Sequence, residues 1–304
     1  MEDREPFHEG ERYAQEQAGS RARARSLGSA NIHSVVPTAM REFFSSLDFV
    51  IAAVLDVQKA PRAFLVADGP NTVRSPTPTR LTLSVSPRQV ELLSPGTPVG
   101  LLGIALDTGQ RVRANGKVVS IRGLQAEVEV LQCFGNCPRH IHPRELLDES
   151  RQVEALPPQS LLRLDERARR MVVQADTFFI ASCHPSATDI GARPSFGLDV
   201  SHRGGPSGFV RCDETGQVLT VPDYNGNSYF NTVGNLVCFP YAGLLFIDFE
   251  RGDLLQLSVH AEVIWGVEGT RGAFQQNARQ LRLTLTEATM SLSATPLRWR
   301  KLVR

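Results

Sequence analysis

The chain has 304 residues, 33 Lys and Arg against 32 Asp and Glu, and a formal net charge of +1. About two domains of ordinary size are expected, with no global field to gather nucleic acid or an anionic membrane surface. No run approaches the roughly 18 apolar residues of a membrane span, the start of the chain lacks the apolar core of a secretory signal, and five cysteines suit reduced thiols better than a disulfide framework; a cytoplasmic location is expected.

Residues 1–36 read as an N-terminal arm. Its basic cluster, Arg21, Arg23 and Arg25, has no interleaved aromatic residue and reads as solvated rather than RNA-binding. The spacing of Met40, Phe43, Phe44 and Leu47 predicts a helix over 37–47, with Pro37 suited to its first turn. Short β-type runs follow at 49–55, 63–67, 81–85, 99–106, 112–121 and 126–133, a meander of antiparallel strands. Residues 143–174, with Pro157-Pro158 between two helical runs, read as a helical connector. Strand-like runs then resume at 178–183, 198–201, 218–221, 244–249, 254–265 and 281–286.

The second half repeats the first. Leu47-Asp-Phe-Val-Ile-Ala-Ala53 matches Ala175-Asp-Thr-Phe-Phe-Ile-Ala181, and Pro98-Val-Gly-Leu-Leu-Gly-Ile104 matches Tyr241-Ala-Gly-Leu-Leu-Phe-Ile247. Between these landmarks the second copy is 15 residues longer, 67 from Asp176 to Gly243 against 52 from Asp48 to Gly100. Evenly spaced short strands, led in each half by a helix, favour small barrels, because closure removes exposed sheet edges.

The polar motifs concentrate in that longer stretch. Ser201, His202 and Arg203 precede Gly204-Gly205, a plausible anion cradle, although a glycine-rich turn with an exposed Arg would look the same. Asn225, Asn227, Ser228, Asn231 and Asn235 place amides and a hydroxyl around a turn and a helix start; an Asn-rich hairpin is the plainer reading of that segment alone. Cys133, Cys137, His140 and His142 invite a zinc reading, but Cys-x3-Cys-x2-His-x-His is no standard zinc spacing, and no metal is expected. His260 reads as a strand histidine and Cys183 as a buried thiol beside His184. No P-loop, nucleophile elbow or dinucleotide fingerprint is present.

Taken in order, Gly197-Leu-Asp-Val-Ser-His-Arg-Gly-Gly205, Pro222-Asp-Tyr-Asn-Gly-Asn227, Phe230-Asn-Thr-Val-Gly-Asn-Leu236, Ala242-Gly-Leu-Leu-Phe-Ile-Asp-Phe249 and the closing Pro296-Leu-Arg-Trp299 resemble the FMN-binding split-barrel proteins related to pyridoxamine 5'-phosphate oxidase. Phe7-His-Glu-Gly-Glu11, Arg111-Val-Arg-Ala-Asn-Gly116 and Gln132-Cys-Phe-Gly-Asn-Cys-Pro138 extend the resemblance, to a tandem two-barrel subgroup, over nearly the whole chain. It implies a mainly β fold of two tandem FMN-binding split β-barrels: a first barrel at 37–142, degenerate and without flavin of its own because it lacks the Ser-His-Arg-Gly-Gly run, and a second, FMN-binding barrel at 175–304. Phosphate contacts are implied for Ser201, His202, Arg203, Asn225 and Asn231, followed by Asn227 and Asn235.

The expected function is FMN-dependent oxidoreduction, with hydride or electron transfer through the flavin to a small-molecule substrate or electron acceptor, and a separate reductase as partner. The alternatives are a non-catalytic flavin or heme carrier and a cofactor-free structural relative. Single-barrel relatives dimerise around FMN, so two barrels in one chain could build that interface internally; monomer and homodimer both stay open.

Overall fold

The computed structural model describes residues 5–69, 72–147, 156–266 and 279–302. Parts of the expected arm (1–4), connector (148–155) and second barrel (267–278 and 303–304) therefore lie outside the described residues. Three helices open the chain: α1 (Glu9–Gln17), α2 (Arg21–Asn31) and α3 (Thr38–Ser45). The last is the helix expected around Phe43 and Phe44, with Pro37 as its N-cap. The arm is thus largely helical; α1 is closed by a capping box in which His8 accepts from the first turn and Glu11 reaches back to the His8 backbone.

The first sheet comprises β1 (Phe49–Leu55), β2 (Pro61–Ala67), β3 (Val73–Thr77), β4 (Arg80–Ser84), β5 (Pro98–Ile104), β6 (Arg111–Arg122) and β7 (Gln125–Gly135), with the short α4 (Pro87–Val90) between β4 and β5. After β8 (Arg144–Leu146), β9 (Gln159–Leu161) and α5 (Glu166–Gln174) come β10 (Thr177–Cys183), β11 (Leu198–Gly204), β12 (Arg211–Cys212), β13 (Val218–Asp223), α6 (Asn231–Cys238), β14 (Tyr241–Ile247), β15 (Leu254–Trp265), β16 (Arg279–Ser291) and β17 (Trp299–Lys301). The start of the connector, expected to be helical, is instead strand: β8 pairs with β17, so tertiary pairing overrides local helical preference at Arg144–Leu146.

The internal repeat is structural. The first sheet runs β2-β1-β5-β6-β7-β4-β3 and the second β11-β10-β14-β15-β16-β13-β12, the same order position for position, and each antiparallel sheet curls around its own core. Alternation along β1 explains its unbroken apolar run: Val50, Ala52 and Val54 face the first core, while Phe49, Ile51 and Ala53 face a third core shared with Phe179, Ala181, Val200 and Leu245 of the other barrel. The two barrels thus pack sheet face to sheet face, each fully buried Leu or Phe contributing about 1.5–3 kcal/mol.

Two glycines make that approach close. A Cβ on Gly100 would fall well inside contact of the Leu198 carbonyl oxygen, and a Cβ on Gly243 inside contact of the Pro61 carbonyl oxygen. Gly100 and Gly243 occupy matching places on β5 and β14, and Pro61 and Leu198 matching places on β2 and β11, so a pseudo-two-fold relates the barrels.

Candidate functional site

The pseudo-two-fold is broken where the polar motifs lie. By strand register, Ser201, His202 and Arg203 on β11 correspond to Phe64, Leu65 and Val66 on β2. Arg111 and Arg113 on β6 likewise correspond to Leu254 and Gln256 on β15. One of two equivalent places is uncharged and, apart from Gln256, apolar; the other is strongly cationic.

At the cationic place a cavity of about 580 Å³ opens between the barrels. The first barrel supplies Arg111 and Arg113 from β6 and Asn136 from the turn after β7; the second supplies Ser201, His202 and Arg203, the loop from Asp223 to Phe230, and the first turn of α6; α2 closes one side with Arg23 and Leu27. Of the residues singled out in the sequence, Ser201, His202, Arg203, Asn225, Asn227 and Asn231 all line this cavity. Asn235 does not. Its side chain is fully buried one turn behind, donating to Ser182 at 3.2 Å and Asp199 at 3.0 Å and accepting from His8 Nε2 at 3.0 Å.

Hydrogen bonding divides the lining into spent and open groups. Arg113 is spent: it donates to the Val200 carbonyl at 3.1 Å, to Asp199 at 3.1 Å, to Asn231 Oδ1 at 2.8 Å and to the Ser201 hydroxyl. Asn231 uses its other end to donate to Glu11, and Ser201 also accepts from Thr232 at 3.0 Å. The side chains of Ser201 and Asn231 therefore serve the frame of the site. The open groups are Arg111 Nε, Arg203 Nε, Asn136 Nδ2 and His202 Nε2, all buried and without a hydrogen-bond partner among the described residues.

His202 carries a proton on a defined nitrogen. Arg111 Nη1 lies 3.0 Å from its Nδ1, and a guanidinium can only donate, so Nδ1 accepts and Nε2 bears the hydrogen. Burial first, then the Arg111 charge, holds the ring well below the usual histidine range and hence neutral. All four open groups are then donors. A buried unmatched donor costs about 1–3 kcal/mol.

The electrostatics agree. Burial, reinforced by Arg113 and Arg203, lowers Arg111 to about 10, which still leaves it charged at neutral pH. Burial alone would raise Asp223, but Arg203 and Arg279 outweigh it and keep the carboxyl ionised, the Arg279 Nε lying 2.9 Å from it. Arg279 is also stacked 4.7 Å from the Phe230 ring centroid and 5.7 Å from that of Trp265. Behind the wall, Glu11 is pushed well above the usual carboxylate range by burial and then by Asp199.

The cysteine and histidine cluster of the inter-barrel turn does not converge. Cys133 is buried against Met40, His140 stacks on Tyr224 at 5.2 Å, and His142 bonds the Gly205 carbonyl at 2.7 Å. Elsewhere His8, His184 and Cys238 bring potential ligand atoms within 4.8 Å of one another. Every imidazole nitrogen there is already committed: His8 to the Gly10 amide and Asn235, His184 to the Ser186 amide and Glu9.

Sequence reasoning did not assign Arg111, Arg113, Asn136 or Arg279 to the site. One signal was available, since Arg111, Arg113 and Asn115 recur at every second position of a strand and so share one face.

No family model matches the chain, and no curated protein matches it. Among solved structures it is similar to a protein related to general stress protein 26, of the pyridoxinephosphate oxidase family, from Clostridium acetobutylicum, at 11% identity and a TM-score of 0.31 over 45% of this chain and 92% of that one. It is also similar to HutZ, the heme storage protein of Vibrio cholerae, at 11% identity and a TM-score of 0.27 over 40% and 90% of the two chains. A FAD-binding protein from Mesorhizobium loti is similar at 8% identity and a TM-score of 0.28 over 45% and 98%.

Proposed function

We propose that the inter-barrel cavity binds FMN and that the chain is an FMN-dependent oxidoreductase with a single cofactor site. The carrying observation is the set of four buried donors without acceptors, on Arg111, Arg203, Asn136 and His202, in a cavity also lined by Tyr224, Tyr229 and Phe230. A phosphate ester offers acceptors to the first group, and a planar ring packs against the second. The cavity volume of about 580 Å³ suits a cofactor of that size.

When bound, the isoalloxazine supplies the hydride or electron chemistry. The chain supplies anchorage: Arg111, His202 and Arg203 hold the phosphate, and Arg113, fixed by Asp199 and Ser201, stiffens the wall between the barrels. No strong base lines the cavity among the described residues, because Asp223 is ion-paired and His202 is neutral and hydrogen-bonded at Nδ1. That composition favours transfer through the cofactor over acid-base catalysis by side chains. The Nε2 proton of His202 also favours a phosphate acceptor over a heme iron, which would need that lone pair free.

The test is a visible spectrum of the protein after incubation with FMN and desalting, with chromatography of what heat releases. Paired flavin bands and recovered FMN, near one per chain, are expected. A colourless product would overturn the flavin reading.

A further inference from the structure

The positive charge of the cavity exceeds what one phosphate neutralises. Arg23, Arg111, Arg113, Arg139, Arg203 and Arg279 line it, with Asp223 as the carboxylate in the lining. Asp199 matches Arg113, and Asp223 contacts both Arg203 and Arg279. Leaving Arg279 out of the balance, Arg23, Arg111 and Arg139 have no carboxylate within ion-pair distance among the described residues, which leaves three positive charges. A phosphate ester near neutral pH brings about −1.5 to −2. At least one positive charge remains.

Burial separates these three. Arg111 is largely buried beside His202 and belongs with the deep open donors, whereas Arg23 on α2 and Arg139 after the Asn136-Cys137 turn are exposed where the cavity meets solvent. They come from different elements, a helix of the N-terminal arm and the turn that follows β7.

We propose that the molecule entering beside the cofactor is a small organic anion, a carboxylate or a phosphate ester, received at the mouth by Arg23 and Arg139. This rests on the flavin reading for the deep part of the cavity. Because both arginines are exposed, their attraction is screened within about 10 Å at 0.1 M salt, so binding weakens as salt rises. Arg23 lies on a helix outside both barrels, so substrate selection at the mouth is separable from cofactor anchorage in depth.

The experiment titrates benzoate, phenyl phosphate and uncharged benzyl alcohol into the FMN-loaded protein at low salt, following the visible flavin bands and its fluorescence. At least one anion is expected to bind tenfold or more tighter than benzyl alcohol, and the tighter of the two names the group recognised. The Arg23→Gln/Arg139→Gln double variant should lose about tenfold in anion affinity and most of its salt dependence, with FMN content unchanged. Equal affinity for benzyl alcohol, or an unchanged double variant, overturns the proposal. If the protein takes up no FMN, the flavin reading fails on its own. Calorimetry of the same anions on the cofactor-free protein then decides the mouth: binding that the double variant weakens supports it, and binding that it leaves intact, or none, overturns it.

Discussion

Arg113 of the first barrel donates to Asp199 of the second at 3.1 Å, and both side chains are buried. Asp199 also accepts from Asn115 at 2.7 Å and Asn235 at 3.0 Å, so one carboxylate gathers both barrels and, through Asn235, the N-terminal His8. Removing one partner leaves the other as an uncompensated buried charge. Arg113→Met is therefore expected to cost about 3–5 kcal/mol in urea unfolding, and Arg113→Met/Asp199→Asn clearly less than the sum of the two single changes. Additive losses would contradict the pairing.

The close approach of the barrels gives a paired prediction. Gly100→Ala and Gly243→Ala each press a methyl group onto a carbonyl of the opposite barrel, so each should cost about 1–3 kcal/mol or more, and by similar amounts. Gly226→Ala, where nothing lies within 4 Å, serves as the control and should leave the thermal midpoint nearly unchanged.

Cofactor affinity should follow the division between open and spent donors. On the flavin reading, Arg111→Gln and Arg203→Ala would each remove a charged hydrogen bond to the phosphate, worth about 1.5–3 kcal/mol, and should weaken FMN binding roughly tenfold to a hundredfold in fluorescence titrations. Asn235→Ala should instead lower the unfolding midpoint, since its amide supports Asp199 and Ser182 behind the cavity. An Asn235→Ala protein of normal stability with lost FMN affinity would reverse that assignment.

Stability against pH can be read from three buried groups. His8 is lowered to about 4 by burial and then by His184, so its contribution is complete above 6.5 and is lost as pH falls toward 4. Glu11 is raised above 4.5, so the native state holds its proton where the unfolded state has released it, and its slope is opposite. Where both groups are displaced their slopes oppose each other, the native proton residing on Glu11 and the unfolded one on His8. His202 is left: its contribution is complete above 6.5 and is lost below it, by about 1.4 kcal/mol per pH unit. Half-buried His140, also lowered by burial, adds a smaller share. Urea midpoints of the cofactor-free protein should fall from pH 7 to pH 5, and His202→Gln should flatten that fall; an unaltered slope would exclude the buried neutral imidazole.

Several of these features were legible in the residues. The run at 254–265 coincides with β15, whose apolar and polar residues alternate with a period of two, and the run from Phe49 to Leu55 coincides with β1, whose burial on both faces leaves an unbroken apolar stretch. Ser201, His202 and Arg203 stood out by residue type and by the glycines beside them, and all three line the inter-barrel cavity. The helical arm was less so: Arg21–Asn31 is polar throughout most of its length and shows little apolar stripe, and α1 is held chiefly by its capping box and by packing on α6.

What the sequence alone determined is the place of the longer strands along the chain, though not of the short β3, β8, β9, β12 and β17, together with the internal repeat and the richest polar motifs, since backbone preference and side-chain alternation act over a few residues. Only the tertiary structure decided which donors are open and which are spent. Arg113 meets Ser201 across 88 positions, His8 meets Asn235 across 227, and Asn231 meets Glu11 across 220. A side chain's hydrogen bonds depend on partners that only the packing of two barrels and a folded-back helix brings within 3 Å.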